Sequence, residues 1–467
     1  MSQVIEFFPQ TPGRFTSPTN TEALGSPLRR PTFALYTLGC KVNQYDSHQI
    51  ARELVSRGFQ RVEFRESADL YVIDTCTVTA EADKKSRKAA GRAQRNNTDA
   101  VVAVTGCAAA RDAAQFKRVA PDALVLDNSR KWELPDLALE ALQLRAQWAE
   151  NYARVRAETG SEPMPSATRE RAVLKIQDGC NHKCSYCIIP SVRGASVTKS
   201  RDAALAEARA FVREGARELT VTGVSMSDWK ESTVEIDRIA RRGESKNAAL
   251  NSLLRAVSSI EGLERVRVSS LDPADVDDAW LETLARTPKI CPHIHLALQS
   301  GSAGVLRRMR RRYTPEMYLR AARRWRELRP DGGLTTDIIV GFPGETDEEW
   351  QETMNLARAA QFSAIHVFPY SPREGTAAAS FDAKVPPAIQ NRRVDELLAL
   401  AKELSANYAA QFCGAPQSVF VENVKEGIAD GLTEHYVRAR LAVAEETRAG
   451  DLVWFTPTRW DGDALRA

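Results

Sequence analysis

The chain has few cysteines, no long apolar run and no marked excess of charge of either sign. Eight cysteines in 467 residues, three of them crowded between positions 180 and 187, are too sparse and too uneven for a disulfide framework, and that usage belongs to metal or redox chemistry in a reducing compartment. A formal net charge of +3 from 64 basic and 61 acidic residues creates no molecule-wide field, so a polyanion would have to be met by a local patch. No apolar stretch approaches the length that crosses a bilayer. The N-terminus, rich in Pro, Thr and Ser, lacks the charged-then-apolar order of a signal peptide, so the expected location is cytoplasmic and off the membrane. The length suits roughly three domains.

What is there centres on Gln177-Asp178-Gly179-Cys180-Asn181-His182-Lys183-Cys184-Ser185-Tyr186-Cys187. Three thiols spaced in this way on one loop can hold one metal ion or three corners of an iron–sulfur cluster, with Tyr186 covering the sulfurs. A 4Fe-4S cluster held by three thiolates keeps one iron open, whereas the paired knuckles of structural zinc supply four ligands and close the site. A zinc site remains the plainer alternative.

Before this loop the sequence alternates strands and helices. Residues 1–31 read as a disordered tail with Pro9, Pro12, Pro18 and Pro27. A domain over 32–135 opens with the run Phe33–Leu38, a helix from about Ser47 to Arg57, a strand Leu70–Cys76, a basic helix carrying Lys84, Lys85, Arg87 and Lys88, and a strand Val101–Cys107. The pattern predicts a parallel sheet with its site at the carboxyl ends of the strands. Cys40, Cys76 and Cys107 each stand just past a strand, where three thiols could converge on a second cluster; the bland alternative is three small buried hydrophobes.

Residues 136–170 read as a helical stretch and linker, and 171–411 as a second α/β domain. Its expected strands are Val173–Ile176, Glu218–Gly223, Arg265–Ser270, His293–Gln299, Thr335–Val340 and Ala364–Phe368, with helices between, one over about 202–214. Six such units imply a partial or complete α/β barrel whose site lies on the C-terminal face. A long helix from about Val394 to Gln411 leads to short strands at Ser418–Glu422, Gly431–Arg438 and Asp451–Phe455, with a turn at Glu426-Gly427. These predict a small β-barrel over 412–460, suited either to nucleic-acid binding or to a structural cap.

A three-thiolate cluster can present its open iron to the amino and carboxylate groups of S-adenosylmethionine, whose one-electron cleavage yields a carbon radical that must be enclosed. Candidate cofactor contacts are Gly223, Gln299, Ser300, Gly341, Phe342, Gly344 and Tyr186; the glycines permit close backbone approach, with ordinary strand-ending turns as the alternative. His295 and His366 read more simply as hydrogen-bonded core histidines than as bases. The run Arg307, Arg308, Arg310, Arg311 and Arg312 is the candidate phosphate-binding patch, or else a solvated helix face. In the terminal barrel, Tyr436 and Arg438 are the candidate RNA contacts.

Over residues 32 to 460 the chain resembles the radical S-adenosylmethionine methylthiotransferases, and the branch acting on N6-threonylcarbamoyladenosine in particular. The resemblance is carried by the cysteine loop, by Thr37-Leu38-Gly39-Cys40-Lys41-Val42-Asn43-Gln44-Tyr45-Asp46, by Cys291–Leu296 and by His366-Val367-Phe368-Pro369-Tyr370-Ser371-Pro372-Arg373. It implies an N-terminal three-cysteine domain, a radical barrel and an RNA-binding C-terminal barrel of the TRAM type. It further implies a radical-generating 4Fe-4S cluster on Cys180, Cys184 and Cys187, an auxiliary 4Fe-4S cluster on Cys40, Cys76 and Cys107, and two molecules of S-adenosylmethionine used per methylthio group placed on adenine C2. The implied partners are a tRNA anticodon stem-loop and a small flavodoxin- or ferredoxin-like electron donor, with the enzyme a monomer. Ala297 stands where the family usually has proline, and Val224–Trp229 departs from its usual pattern. The alternatives are methylthiolation of isopentenyladenosine in tRNA or of a ribosomal-protein aspartate, and a non-catalytic iron–sulfur RNA-binding protein.

Overall fold

The computed structural model describes residues 30–143, 171–230 and 245–467; the tail expected over 1–31 lies outside them but for its last two residues, and of the helical stretch and linker expected over 136–170 only 136–143 are described, within the helix Leu134–Gln143. The chain divides into two compact units. One comprises Gln3–Ala167 together with Ser191–Gly194, the other Thr168–Pro190 together with Ala195–Ala467.

In the first unit β1 (Thr32–Thr37), β2 (Gln60–Val62), β3 (Leu70–Thr75), β4 (Val101–Gly106) and β5 (Leu124–Val125) form one sheet in the order β2-β1-β3-β4-β5, every neighbouring pair parallel. Both central strands are buried along their whole length, as continuous apolar runs in a doubly covered parallel sheet should be. Alternate residues feed opposite cores: Phe33, Leu70, Val72, Val101 and Ala103 pack with Ile50 and Leu54, while Ala34, Ile73, Val102 and Val104 pack with Phe116. The first helix, Lys41–Ser56, begins six residues earlier than its apolar period predicts, with Cys40 at its N-cap. The cause is that polar Asn43, Asp46 and Ser47 occupy its buried face, and Asn43 is satisfied there by the carbonyls of Leu38 and Thr75, at 2.8 and 2.9 Å.

The second unit opens with β6 (Arg171–Lys175), followed by a two-strand ribbon of β7 (Gln177–Asp178) and β8 (Val197–Thr198), then β9 (Glu218–Thr222), β10 (Arg265–Val268), β11 (His293–His295), β12 (Gly333–Val340) and β13 (Ala364–Pro369). The parallel ladders β10-β9-β6 and β11-β12-β13 are linked by the bridges Val266↔Ile290 and Leu271↔Leu296, so the six expected strands follow one another as a partial barrel. The strand expected over His293–Gln299 pairs regularly only to His295. Beyond it the pairing is irregular: the amides of Leu296 and Gln299 still bond Thr335 O and Asp337 O, at 3.0 and 2.8 Å, while between them the Thr336 hydroxyl donates to the Leu296 carbonyl at 2.7 Å and accepts from the Leu298 amide at 2.9 Å. The long helix spans Pro387–Ala410, starting seven residues before the expected Val394. Proline fits its first turn, and the buried charge of Arg393, paired with Glu345 at 2.8 Å, obscures the apolar period.

The C-terminal sheet contains β14 (Gln417–Lys425), β15 (Ile428–Thr433), β16 (Arg438–Ala442), β17 (Leu452–Phe455), β18 (Arg459–Trp460) and β19 (Leu465–Arg466), in the order β17-β14-β15-β16-β19-β18. The stretch Gly431–Arg438, expected as one strand, is split by a turn in which Tyr436 is left-handed (φ 65°). The buried imidazole of His435 bonds Gln417 and Asp331, both at 3.0 Å. The sheet continues past residue 460. It sits on the starting ends of the barrel strands: Arg265 and Arg267 at the head of β10 donate to the carbonyls of Leu432 and Thr433, and Tyr436 stacks on His293 with ring centres 4.5 Å apart. Among the described residues, no helix is long and apolar enough to cross a membrane.

Candidate active site

The three-thiol loop leaves the carboxyl end of β6 and is fixed before any ligand arrives. Gln177 clamps its root: the side-chain amide donates to the Asp178 and Gly179 carbonyls and to Ser196 Oγ, each at 2.8 Å, and its oxygen accepts from the Ser225 amide at 2.7 Å. Ser185, between the second and third thiols, gives its hydroxyl to Arg308 O at 2.7 Å and its amide to Met309 O at 3.0 Å. Tyr186 packs edge-on against Phe342, which is fully buried among Tyr370 and Phe381. The motif Gly341–Gly344 therefore supports the loop through its phenylalanine, and Gly341 and Gly344 are both left-handed. Burial pushes the Cys187 thiol up to about 12 and raises that of Cys180. Thiols in that setting are poor nucleophiles in the free protein and give up their protons to a metal. Arg311 lies ready to balance the resulting charge, its Nη1 donating to Cys184 Sγ at 3.3 Å and its Nη2 held by Asp272 at 2.9 Å.

In the first unit the strand-end cysteines lie close enough to act on one another's thiols. Cys40 caps a helix, Cys76 follows β3, and Cys107 opens the short helix Cys107–Arg111. A glycine precedes two of them, for a steric reason. Gly39 and Gly106 have φ of 105° and 93°, and a Cβ on Gly39 would lie 2.9 Å from Cys76 Cβ, one on Gly106 2.4 Å from Asp74 Oδ1. Burial pushes the Cys76 thiol up to about 12, with the Cys107 and Cys40 thiols adding to the shift. Around them stands a charged frame: Asp46 pairs with Lys131 at 2.6 Å, and Arg193 reaches both Cys107 Sγ (3.3 Å from Nε) and Asp46 (3.4 Å from Nη1). Burial, then the neighbouring Asp46, drives the Asp74 carboxyl up to about 7. Each triad thus offers three soft donors and an arginine, a set that fits an anionic iron–sulfur cluster.

The remaining expected site residues divide. Gln299 is left-handed (φ 62°) at the end of the β11 segment, its amide bonded to Asp337 O at 2.8 Å, and a Cβ on Gly223 would touch Gln177 at 3.0 Å, so both shape the rim. Ser300 is fully buried, its hydroxyl shared between Thr353 and the Ser302 amide; it shapes a turn instead of facing a ligand. The arginine run is no continuous phosphate patch. Arg308 makes a two-pronged pair with Glu349 and Arg312 binds Asp275 at 2.6 Å, while Arg311 serves the thiol loop, which leaves Arg307 and Arg310 on the surface. Nor do Tyr436 and Arg438 form an open RNA face: Tyr436 lies between His293 and the Arg267 guanidinium, and Arg438 is paired with Glu422 and Asp430.

Sequence reasoning passed over Arg193, Asp46 and Lys131, which meet only through the fold, and Asp337. The last carried a signal, a lone carboxylate inside the apolar run Thr335–Val340. It lies with His295 and His366, all three half-buried; His295 Nε2 is 3.2 Å from Asp337 Oδ2 and His295 Nδ1 is 2.9 Å from Thr335 Oγ1. Burial raises the Asp337 carboxyl but the two imidazoles outweigh it, holding it below the ordinary carboxylate range. These side chains share the sheet face of Ile339 and Tyr370, which pack around Tyr186.

Comparison with known proteins finds matches over the regions carrying each thiol triad. Residues 174–357 match the Radical SAM superfamily, and residues 32–127 match a family described as uncharacterized protein family UPF0004. The threonylcarbamoyladenosine tRNA methylthiotransferase MtaB of Bacillus subtilis is 35% identical over 87% of this chain and 89% of its own. The tRNA-2-methylthio-N(6)-dimethylallyladenosine synthase of Mycobacterium bovis is 36% identical over 93% of this chain and 84% of its own. A solved structure of the radical S-adenosylmethionine methyltransferase TsrM from Kitasatospora setae aligns with a TM-score of 0.46 at 15% identity, over 73% of this chain and 74% of its own. The cofactors of such enzymes, S-adenosylmethionine and two 4Fe-4S clusters, suit the two thiol triads. The chain belongs to the tRNA methylthiotransferase family of radical S-adenosylmethionine enzymes.

Proposed function

We propose that the enzyme methylthiolates C2 of N6-threonylcarbamoyladenosine beside the tRNA anticodon. The observation that carries the choice of nucleoside is the polar character of the face beneath the thiol loop, where His295, Thr335, Asp337 and His366 lie together. A threonylcarbamoyl substituent has a urea, a hydroxyl and a carboxylate to bond there. An isopentenyl group has no donor or acceptor to offer these half-buried groups and would only replace the water they reach with carbon, which is unfavourable for polar groups. The B. subtilis relative is named for threonylcarbamoyladenosine and the M. bovis relative for dimethylallyladenosine, so overall identity supports both and the face favours the first.

In this reading Cys180, Cys184 and Cys187 hold the cluster that supplies one-electron cleavage of S-adenosylmethionine, and Cys40, Cys76 and Cys107 hold the auxiliary cluster that supplies sulfur. The chain's own groups do the rest. Gln177 and Ser185 keep the loop from collapsing onto its thiols, Arg311 offsets the charge gathered at Cys184, and Tyr186 with Phe342 keeps water from the sulfur side. Arg193 does for the strand-end triad what Arg311 does for the loop, and Lys131 holds the Asp46 carboxylate that Arg193 also reaches.

The deciding experiment offers the anaerobically reconstituted enzyme an equimolar mixture of two anticodon stem-loops, one with threonylcarbamoyladenosine and one with isopentenyladenosine, and weighs the nucleosides by mass spectrometry. The first should gain the methylthio group at least about tenfold faster, an energy difference of about 1.4 kcal/mol. Preference for the isopentenyl stem-loop would overturn the assignment.

A further inference from the structure

We propose that His295, Asp337 and His366 form a binding site for a divalent transition-metal ion, separate from both thiol triads. The three residues come from three adjacent parallel strands: β11 pairs His295 with Thr335, and β12 pairs Asp337 with His366. Register thus fixes two imidazoles and one carboxylate on one face, and their ligand atoms all lie within 4.8 Å of one another. Ligands bonded at about 2.0–2.2 Å to one ion stand roughly 3–3.5 Å apart, a spacing already met by His295 Nε2 and Asp337 Oδ2 at 3.2 Å. The His366 ring centre lies 5.9 Å from that of His295, with its ligand atom within 4.8 Å of the other two.

The surroundings match what a metal-binding histidine needs. Such a histidine donates its second ring N–H to a fixed acceptor, which sets the tautomer and aims the ligating nitrogen. Thr335 Oγ1 stands 2.9 Å from His295 Nδ1, and 2.8 Å from His293 Nε2. With the Thr335 hydroxyl donating to His293 and accepting from His295, the Nε2 of His295 is left with a lone pair directed toward Asp337. A competing arrangement, in which His295 Nε2–H simply donates to Asp337, satisfies the same contacts without an ion, and metal titration separates the two.

Two imidazoles and one carboxylate suit Zn2+, Fe2+, Co2+ or Mn2+ and are a poor set for Ca2+ or Mg2+, which favour all-oxygen shells. Three protein ligands leave coordination positions open, and the same strands lead on to Ile339 and Tyr370, which pack in one cluster with Tyr186 of the thiol loop. The ion would therefore be placed to take an oxygen of a bound substrate. The inference does not rest on the choice of nucleoside, because the ion is bound by the free enzyme.

The test uses the full chain with both clusters reconstituted, so that the thiols are occupied, and no RNA. Mn2+ is added anaerobically and the free-ion electron paramagnetic resonance signal is followed, with Zn2+ as competitor. The wild-type protein should remove one equivalent of Mn2+ and release it to Zn2+; H295Q/H366Q should remove none, and T335V, which spares all three ligands, should bind about 10–100-fold more weakly. Unchanged iron content in the variants shows that the fold is kept. Equal Mn2+ uptake by wild type and H295Q/H366Q, or no uptake by either, would overturn the site whichever nucleoside the enzyme modifies.

Discussion

The two thiol triads solve one chemical problem from opposite ends of the chain's economy of sequence. At Cys180, Cys184 and Cys187 the donors sit on one loop, and the fold needs only to stiffen it, with Gln177, Ser185 and Tyr186 as struts. At Cys40, Cys76 and Cys107 the donors are spread over a stretch of 68 residues and meet only because three strands of one parallel sheet end together. A local site can survive a poorly formed domain, whereas a strand-end site is only as good as its sheet.

The sharpest way to break the comparison is to remove one thiol from each. C184S should lose about half of the iron and all cleavage of S-adenosylmethionine, while C107S should lose a similar share of iron yet still cleave it and form no methylthio product. Anaerobic iron assay and product chromatography read both, and methylthio product from C107S would dissolve the division of labour. Next in size is the dependence on the sheet. G106A should destabilise the protein by at least about 3 kcal/mol in denaturant unfolding, since the new methyl would meet Asp74 Oδ1 at 2.4 Å and the Thr75 backbone at 2.5 Å. G194A, also left-handed (φ 76°) but with nothing within 4 Å, should cost about 1 kcal/mol.

A finer comparison sets the two arginines against each other. R311Q should weaken iron retention at the loop, and R193Q at the strand ends, each by about 10–100-fold in resistance to a chelator and each without touching the other cluster. The smallest effect concerns neither triad. At the heads of β6, β9 and β10, Glu218 is fully buried with Arg171 and with Arg267 at 2.8 Å. Burial raises its carboxyl, but these arginines outweigh that and hold it at about 2. A depressed carboxylate stabilises the fold above its ordinary range and ceases to do so as pH falls through that range toward about 2. E218Q should flatten stability against pH between about 4.5 and 2, measured by acid titration of circular dichroism; an unchanged acid limb would show that other carboxylates govern it.

How much of this was legible follows from how local each feature is. The loop thiols, the alternation of strands and helices and the parallel sheet could be read directly, because spacing and apolar runs are properties of neighbouring residues. The start of the helix Lys41–Ser56 could not, since Asn43 and Asp46 are buried for the contacts they make with carbonyls and with Lys131 and look from sequence like a surface. The run Arg307–Arg312 misled for the converse reason: its charges look free until Glu349, Asp272 and Asp275 arrive from distant segments. Asp337 was visible as an oddity, but its partners were set by strand register.

The placement of the C-terminal sheet on the starting ends of the barrel strands amounts to a ruler. The thiol loop and the turns after β12 and β13 lie at the finishing ends, and β12, eight residues long, measures about 26 Å at 3.3 Å per residue. A ligand that touched both the far sheet and the loop would have to bridge that distance, which a mononucleotide or a dinucleotide cannot do. Any partner held at both ends would be chosen by its length before its chemistry.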